Sequence, residues 1–210
     1  YGFIKNAQYF IAGVTAPSRF ELEHFGYVFE TLILELTKKN IETCWLGGTF
    51  KRGVLKELMK LNDKEDDLLI PAITPIGYPQ YHNRGFIDRL LKRSLDKRVR
   101  LPWNKLFFKD NFKTPLKKSE ANDYEIPLEM VRIAPSALNS QPWRICKTEH
   151  DNSYHFYIKG ETTKRKGRLG LPNFDKIAIG IAVCHFDLAR KELGLKGDWI
   201  LLDNAPINTN

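Results

Sequence analysis

The chain has 210 residues, of which 42% are hydrophobic and 28% charged, and its formal charge at pH 7 is +8. This length is enough for one sizeable domain or two small ones without disulfides, and the composition is typical of a globular protein. No apolar run approaches the roughly 20 residues that a membrane-spanning helix needs, so we expect no membrane partner.

The positive charge points to anionic partners of two kinds. Lysines and arginines concentrate at residues 84–100 and 159–168, but no recognisable nucleic-acid-binding module accompanies them. A phosphate-bearing small molecule would be served equally well by a few of these cations. We therefore expect a small-molecule partner and no nucleic acid.

The cysteines and the first residue bear on compartment and completeness. Cys44, Cys146 and Cys184 have neither paired nor metal-ligand spacing, which predicts a reducing, cytoplasmic location. The chain begins at Tyr1 rather than at a methionine and shows no signal-peptide pattern, so we expect that an N-terminal piece precedes it.

The first predicted elements are a strand and a long helix. Residues 7–14 predict a buried strand, and Pro17 with Ser18 opens a helix that runs to about Asn40. Its apolar positions follow helical spacing at Phe25, Val28, Phe29, Leu32, Ile33 and Leu36.

A glycine turn follows this helix. The pattern predicts a strand from Ile41 to Leu46, the turn Gly47-Gly48, a short helix at about 51–61 and an apolar run from Leu68 to Ile76. Two adjacent glycines let backbone N–H groups approach a ligand closely, although most such turns are purely structural.

The middle of the chain is more polar. Residues 83–100 predict a charged surface helix followed by a basic connection, and Leu106, Phe107 and Phe108 are expected to cover a core. A further helix is predicted from near Ser119 to Arg132, with a break at Pro127.

The last part predicts a hairpin and a long helix. Strands are expected at about 143–148 and 153–159, joined by a turn at 150–152, and residues 160–172 are expected to be mobile. A long amphipathic helix then runs from about Asn173 to Leu193, with a final strand from Trp199 to Leu202.

The loop between the predicted helix and hairpin is the strongest candidate for a binding site. Residues 133–144 lie where a helical pattern ends, with Pro135 ending the helix and Pro142 holding its neighbour extended. Between the prolines stand polar side chains at Ser136, Asn139, Ser140 and Gln141. Taken alone, this is either an ordinary helix-to-strand turn or a binding loop for a polar, planar ligand.

A weak internal repeat relates the two ends of the chain. Displaced by 154 positions, Gly26 falls on Gly180, Leu34 on Leu188, Ile41 on Leu195 and Trp45 on Trp199. Either a diverged duplication or chance explains four matches. A duplicated chain would hold two related halves with a boundary within about 80–120, and it could build a site between them as a symmetric dimer does.

Catalysis by protein side chains alone is a poor fit. The five histidines at positions 24, 82, 150, 155 and 185 have no catalytic motif around them, and His185 is read as a satisfied core histidine. No residue cluster has metal-ligand spacing, and Walker-type and Gly-x-Gly-x-x-Gly loops are absent. The chain does have a polar loop, a Gly-Gly turn and a basic segment. These fit a non-covalent site for a flat, phosphorylated cofactor better than an active site made of side chains.

The segment Ala134-Pro135-Ser136-Ala137-Leu138-Asn139-Ser140-Gln141-Pro142-Trp143 strongly resembles the Ala-Pro-Ser-x-x-Asn-x-Gln-Pro-Trp motif of the FMN-dependent nitroreductase family. Three further stretches resemble family segments: Gly26 to Glu30 with Thr43 to Phe50, Pro75 to Pro79, and Arg100 to Trp103 with Leu106 to Phe108. The closest resemblance is to a branch with two fused nitroreductase-like halves, over residues 1–202.

The resemblance implies an α+β nitroreductase-like fold, internally duplicated as a pseudo-dimer, with mixed and antiparallel sheets packed by long helices. It assigns residues 1–100 to the C-terminal part of the first half and residues 101–210 to the second half. It also implies FMN at the interface of the halves, NADH or NADPH as electron donor, and a nitroaromatic, quinone or similar acceptor. A single chain would act as the pseudo-dimer, with a homodimer of such chains as the alternative.

The same resemblance implies a set of cofactor-binding residues and no catalytic side chain or metal. The isoalloxazine and ribityl side would be lined by Pro135, Ser136, Ala137, Asn139 and Gln141. The turn Leu46, Gly47 and Gly48 would approach the flavin ring through its backbone, and Arg98 and Arg100 would match basic positions near the phosphate.

Two departures from the family pattern qualify these assignments. The family's N-terminal Arg-Arg-Ser-x-Arg motif is absent, and Gly47 stands where a family member has an acidic residue. The positive charge near the flavin could come from Arg98, from Arg100 or from an arginine upstream of Tyr1. A flavin-binding scaffold without turnover is the alternative function, and a nucleic-acid-binding protein rests on net charge alone.

Overall fold

The computed structural model describes residues 7–61, 67–78, 100–148, 150, 153–160 and 171–202. The first part of the chain forms β1 (Tyr9–Ala12), α1 (Glu21–Lys38), β2 (Glu42–Thr43), α2 (Arg52–Leu58) and β3 (Ile73–Gly77). The three strands form an antiparallel sheet in the order β1-β3-β2.

The second part forms a four-stranded sheet and two helices. Its elements are β4 (Phe107–Lys109), β5 (Asn111–Pro115), α3 (Glu125–Ile133), β6 (Trp143–Thr148), β7 (Ser153–Ile158) and α4 (Phe174–Glu192). The strand order is β5-β4-β6-β7, with β4 and β6 parallel and the other neighbours antiparallel. The predicted α+β fold with mixed and antiparallel sheets and long helices is confirmed.

The long helices begin and end as their sequences predict. Glu21 and Glu23 lie in the first turn of α1 and Lys38 in its last turn, where they complement the helix dipole. The Asn173 side chain caps α4 by accepting the N–H of Asp175 at 3.0 Å.

Helices α1 and α4 pack against each other at the centre of the molecule, and two glycines allow the close approach. A Cβ on Gly26 would lie 2.2 Å from the carbonyl oxygen of Ile177, and one on Gly180 would lie 2.0 Å from that of Glu23. Because these obstacles are backbone atoms, no side-chain adjustment could make room, and both positions require glycine.

The contacts between α1 and α4 are reciprocal under the 154-residue displacement. Gly26 faces Ile177, and Gly180 faces Glu23. The displacement relates Gly26 to Gly180 and Glu23 to Ile177, so the two contacts are equivalent. Thr31 contacts Cys184 at 3.3 Å, and the exchanged pair, Glu30 and His185, lies 2.8 Å apart. Reciprocity of this kind is the geometry of a two-fold interface.

One main hydrophobic core joins α1, α3, α4 and the larger sheet. Leu106 and Phe107 are fully buried in it, as the sequence predicts, whereas Phe108 lies half-buried against Phe112 at a ring-centroid distance of 5.5 Å. A smaller core under the first sheet is formed by Phe50, Ile70 and Ile73.

Several predicted elements are shorter or more exposed than expected. The strand predicted at 7–14 is β1, an edge strand whose Tyr9 is 68% exposed, so the expectation of full burial is wrong. The strand predicted from Ile41 to Leu46 reduces to β2 and one further bridge between Leu46 and Ile73. The helices predicted to follow Pro17-Ser18 and at 51–61, and the strands of the hairpin, are confirmed as α1, α2, β6 and β7.

Two predictions in the second part are wrong. The helix predicted from Ser119 begins only at Glu125, after two single turns of 3₁₀-helix, and Pro127 lies in its first turn rather than breaking it. A proline is tolerated there because the N–H groups of a first helical turn have no intrahelical partner. No strand forms from Trp199 to Leu202, where Ile200 is 76% exposed, and strand β5 was not predicted.

Other predictions fall on parts of the chain outside the described residues. The helix predicted at 83–100 and the mobile segment predicted at 160–172 lie almost entirely there, as do two residues of the hairpin turn at 150–152. Among the helices that are described, none is both long enough and apolar enough to cross a membrane.

Candidate functional site

The loop after α3 has an unusual backbone. The helix ends at Ile133 because Ala134 turns to an extended conformation (ψ 147°) before Pro135. A single 3₁₀ turn at Ala137–Asn139 follows, and Leu138, Asn139 and Gln141 adopt left-handed φ values of 53°, 55° and 47°. The extended conformation predicted for the residue before Pro142 is therefore wrong. Left-handed residues other than glycine are costly, and they cluster at binding sites that surrounding structure holds in place.

The side chains of Ser136 and Gln141 hold this loop. The Ser136 Oγ accepts the N–H of Gln141 at 2.9 Å, and the Gln141 Nε2 donates to the carbonyl oxygen of Asn139 at 2.9 Å. Gln141 is only 2% exposed, and its Oε1 accepts the N–H of Leu101 at 2.7 Å. Gln141 therefore fixes the loop against the segment at 100–101.

Arg100 completes this connection. Its Nη1 donates to the carbonyl oxygen of Ala134 and to Oδ1 of Asn139, each at 2.7 Å. Burial lowers the pKa of Arg100, and the nearby Arg132 lowers it further. Among the described residues, no acceptor is bonded to its Nε or Nη2. The guanidinium thus retains donors for an anionic ligand beside the loop.

The turn at Leu46, Gly47 and Gly48 lies in the other part of the molecule. The backbone of Leu46 exchanges two hydrogen bonds of 2.9 Å with Ile73. A Cβ on Gly47 would lie 2.3 Å from Cε1 of Phe174 at the start of α4, whereas one on Gly48 would meet nothing within 4 Å. Gly47 therefore packs closely against the Phe174 ring, and Gly48 is the open position of the turn.

The structure brings some of the predicted site residues together. Pro135, Ser136, Ala137, Asn139 and Gln141 form one loop, and Arg100 is bonded to it. The 3₁₀ turn of this loop and the Gly47 turn both contact α4, but no hydrogen bond joins the loop to the turn in the described part of the chain. Arg98 lies outside the described residues.

Two buried carboxylates link the long helices to tryptophans, and sequence reasoning missed both. Glu30 on α1 accepts from Nε1 of Trp45 at 2.8 Å and contacts Nε2 of His185 at 2.8 Å. This contact agrees with the interpretation of His185 as a satisfied core histidine. A glutamate inside an apolar helix stripe was the available signal.

Asp187 on α4 is the second carboxylate, and four side chains donate to it: Tyr27 and Lys191 at Oδ2, and Trp199 and Arg190 at Oδ1. Burial alone would raise the pKa of Asp187, but these donors outweigh it and lower that pKa to about 2. Asp187 is therefore ionised at neutral pH, and it ties Trp199 to the helix pair.

The two buried cysteines, Cys146 and Cys184, are not activated as nucleophiles. Burial raises the pKa of Cys146 and of Cys184 to about 11, so both are thiols at neutral pH. Within the described residues, no group of three or more histidine, cysteine or acidic side chains is arranged to hold a metal ion.

A cavity of about 1870 Å³ reaches the C-terminal end of the loop, where Arg144 lines it and donates from Nη1 to the carbonyl oxygen of Gln141 at 3.1 Å. It runs along the edge of β7 and the facing surfaces of α1 and α4, and its walls include Tyr27, Tyr154, Phe156, Phe186 and Trp199. Of the predicted cofactor-binding residues that the structure describes, none lines this cavity. We favour the loop as the site because its polar donors converge there.

Comparison with known proteins identifies a family and a fold. The profile of a family described as "Putative TM nitroreductase" matches residues 1–190. No curated protein sequence matches the chain. Among solved structures, the crystal structure of a "putative nitroreductase" from Thermotoga maritima is similar, with a TM-score of 0.52 and 22% identity. The match covers 91% of this chain and 69% of that one, and it shows a shared nitroreductase-like fold.

Proposed function

Because the chain belongs to the family described as "Putative TM nitroreductase", we propose that it is an FMN-dependent oxidoreductase that uses NADH or NADPH. The family itself supports an oxidoreductase of the nitroreductase type. We propose further that the electrons pass to a small-molecule acceptor, such as a nitroaromatic or a quinone.

The observation that carries the proposal is the bonded unit of Arg100 and the loop at 134–141. One arginine and two amide side chains hold three left-handed residues in place, next to exposed Ala137. A loop held this rigidly is preorganised for a ligand, since binding would cost little further ordering.

The donors present fit FMN. The Nε and Nη2 groups of Arg100 suit a phosphate or the electron-rich edge of a flavin, and the Ser136 hydroxyl keeps its proton after accepting from Gln141. The open side of Gly48 leaves room for a flat ring. FMN, when bound, supplies the hydride chemistry, while these residues bind and orient it.

We propose that the flavin lies between two related halves, residues 1–100 and 101–210, in a chain that acts as a pseudo-dimer. The reciprocal contacts of α1 and α4 support this division, because they have the geometry of a two-fold interface. The Gly47 turn belongs to the first half and the loop at 134–141 to the second, and both contact α4.

Anaerobic reduction of the reconstituted protein tests the proposal. Purified protein is mixed with FMN, freed of excess, and its flavin spectrum is recorded before and after addition of NADH or NADPH. We expect stoichiometric flavin, bleaching by at least one nicotinamide, and return of the oxidised spectrum on addition of a nitroaromatic or a quinone. Colourless protein with no gain in melting temperature from FMN would exclude the proposal.

A second test measures FMN binding by the variant Arg100→Gln, with Arg19→Gln as its matched control. Arg100→Gln removes the donors beside the loop and should weaken FMN binding about tenfold or more, as expected for a charge-assisted hydrogen bond. Arg19 is a surface arginine outside the loop and the turn, and Arg19→Gln should leave binding unchanged. Tight FMN binding without bleaching would point to the flavin-binding scaffold instead.

A further inference from the structure

Arg52, the first residue of α2, binds three backbone carbonyl groups. Its Nε donates to the oxygen of Ile70 at 3.0 Å, and its Nη2 donates to the oxygens of Pro71 and Gly47. The guanidinium carbon lies 4.4 Å from the ring centroid of Phe50. Arg52 therefore ties the Gly47 turn to the segment that leads into β3.

This bond determines where the next N–H group points. Every described peptide bond is trans, so the C=O of Gly47 and the N–H of Gly48 point in opposite directions. Since the carbonyl is directed at Arg52, the N–H of Gly48 is directed away from it. No acceptor among the described residues receives this N–H, and the space beside Gly48 is open.

The orientation of this peptide would be poorly determined without the arginine. The peptide lies between two glycines, which restrict rotation least of all residues. The other constraints act upstream of it, because the bridge to Ile73 holds Leu46 and the ring of Phe174 packs on Gly47. Arg52 is the contact that holds the carbonyl itself.

We propose that Arg52 is a positioning residue that directs the Gly48 N–H outward as a hydrogen-bond donor to the flavin ring. This inference rests on the proposed FMN function and deepens it. The planar guanidinium is suited to the task because it binds several carbonyl groups at once, whereas a lysine would bind as a flexible point charge.

The test compares Arg52→Gln and Arg52→Lys with Arg19→Lys, whose guanidinium also lies over a phenylalanine ring, at 5.0 Å from the Phe20 centroid. We expect both Arg52 variants to weaken FMN binding about three- to tenfold and to shift the potential of the bound flavin. Arg19→Lys should change neither quantity. Full rescue by lysine would show that charge alone matters and would overturn the proposal.

A double-mutant cycle asks whether Arg52 acts through Gly48. Gly48→Pro removes the N–H, and Gly48→Ala adds a side chain into open space while keeping it. If the proposal holds, Arg52→Gln produces no further loss of affinity or shift of potential in the Gly48→Pro background. Additive losses would overturn it.

An NMR measurement covers the case in which Gly48→Pro does not fold. In the wild-type protein the Gly48 amide resonance should shift on addition of FMN, and in Arg52→Gln that shift should be lost or broadened. An unchanged response in Arg52→Gln would overturn the proposal. Wild-type protein that binds no FMN would instead overturn the proposed function, and the two failures are therefore distinguishable.

Discussion

In two regions of the molecule, a tryptophan indole donates a hydrogen bond to a buried carboxylate on a long helix. In the region of α1, the indole of Trp45 donates to Glu30, and in the region of α4, the indole of Trp199 donates to Asp187. The tryptophans are equivalent under the 154-residue displacement, but the carboxylates are not, because Asp187 corresponds to Ile33. The bond recurs although its acceptor has moved by about one helical turn.

The two carboxylates also differ in what surrounds their charge. Asp187 receives two cations, Arg190 and Lys191, from the last turn of its own helix, and Tyr27 from α1. Among the described residues, Glu30 receives only Trp45 and His185, and the latter is charged only when protonated. A buried carboxylate can therefore serve the same structural purpose with very different electrostatic support.

The largest expected effect comes from the two glycines at which α1 and α4 cross. Gly180→Ala should lower the free energy of unfolding by about 3 kcal/mol or more, and Gly26→Ala by a similar amount, because each Cβ would strike a backbone carbonyl. Urea unfolding measures both. The control Gly53→Ala, in α2 with open space around it, should raise stability by about 0.5–1 kcal/mol. A large cost at one crossing glycine and none at the other would contradict the two-fold interpretation.

Acid should lower the free energy of unfolding through protonation of Asp187. Its folded pKa of about 2 lies below its ordinary value of 3.8, so its contribution is fully present above about pH 4 and is lost as the pH falls toward 2. The difference corresponds to about 2 kcal/mol. Asp187→Asn should lose about this amount at pH 7 and show less acid dependence between pH 4 and 2.

Glu30→Gln is the comparison variant for this experiment. Because it leaves Asp187 intact, urea midpoints measured across the same pH range should keep the acid-dependent loss. If Asp187→Asn retained the full loss between pH 4 and 2, another carboxylate would have to be its source.

A smaller difference is expected between the two tryptophans. Trp45→Phe should cost about 1–2 kcal/mol, because Glu30 is only 1% exposed and would keep a single partner. Trp199→Phe should cost less than about 1 kcal/mol, since three other side chains still donate to Asp187. Thermal unfolding of both variants measures the difference, and equal losses would show that the remaining donors do not compensate.

The smallest expected effect concerns backbone strain, which also differs between the two ends. The loop of the second part contains left-handed Leu138, 82% exposed, whereas the Gly47 turn contains no left-handed residue. Leu138→Gly should raise the free energy of unfolding by about 0.5 kcal/mol, since relief of strain exceeds the entropy cost of glycine. Ala137→Gly, at a position without this conformation, should lower it by a similar amount, and a gain in both would contradict the assignment of strain to Leu138.

Much of the architecture could be predicted because its signals are local. Apolar spacing located α1 and α4, alternation located β6 and β7, and the two prolines bounded the loop at 134–141. The family motif in that loop pointed to its candidate role. Strand β5 could not be found, since Asn111–Pro115 is mostly polar and is a strand only because β4 pairs with it.

The failed strand from Trp199 to Leu202 has the opposite cause. The residues favour a strand, but the Trp199 indole is bonded to Asp187, and no described strand pairs with this segment. A β-strand needs a partner for its backbone groups, which intrinsic preference cannot supply.

The sequence by itself determined the class of fold, the long helices, the β6–β7 hairpin and the segment that carries the family motif, because each depends on neighbouring residues. Only the tertiary structure decided that Gln141 is buried as a brace, that Arg100 binds the loop, and that Arg52 orients the Gly47–Gly48 peptide. The same is true of the carboxylates that hold Trp45 and Trp199. These roles depend on hydrogen-bond partners that are mostly distant in the chain, and a partner is defined only when folding brings donor and acceptor together.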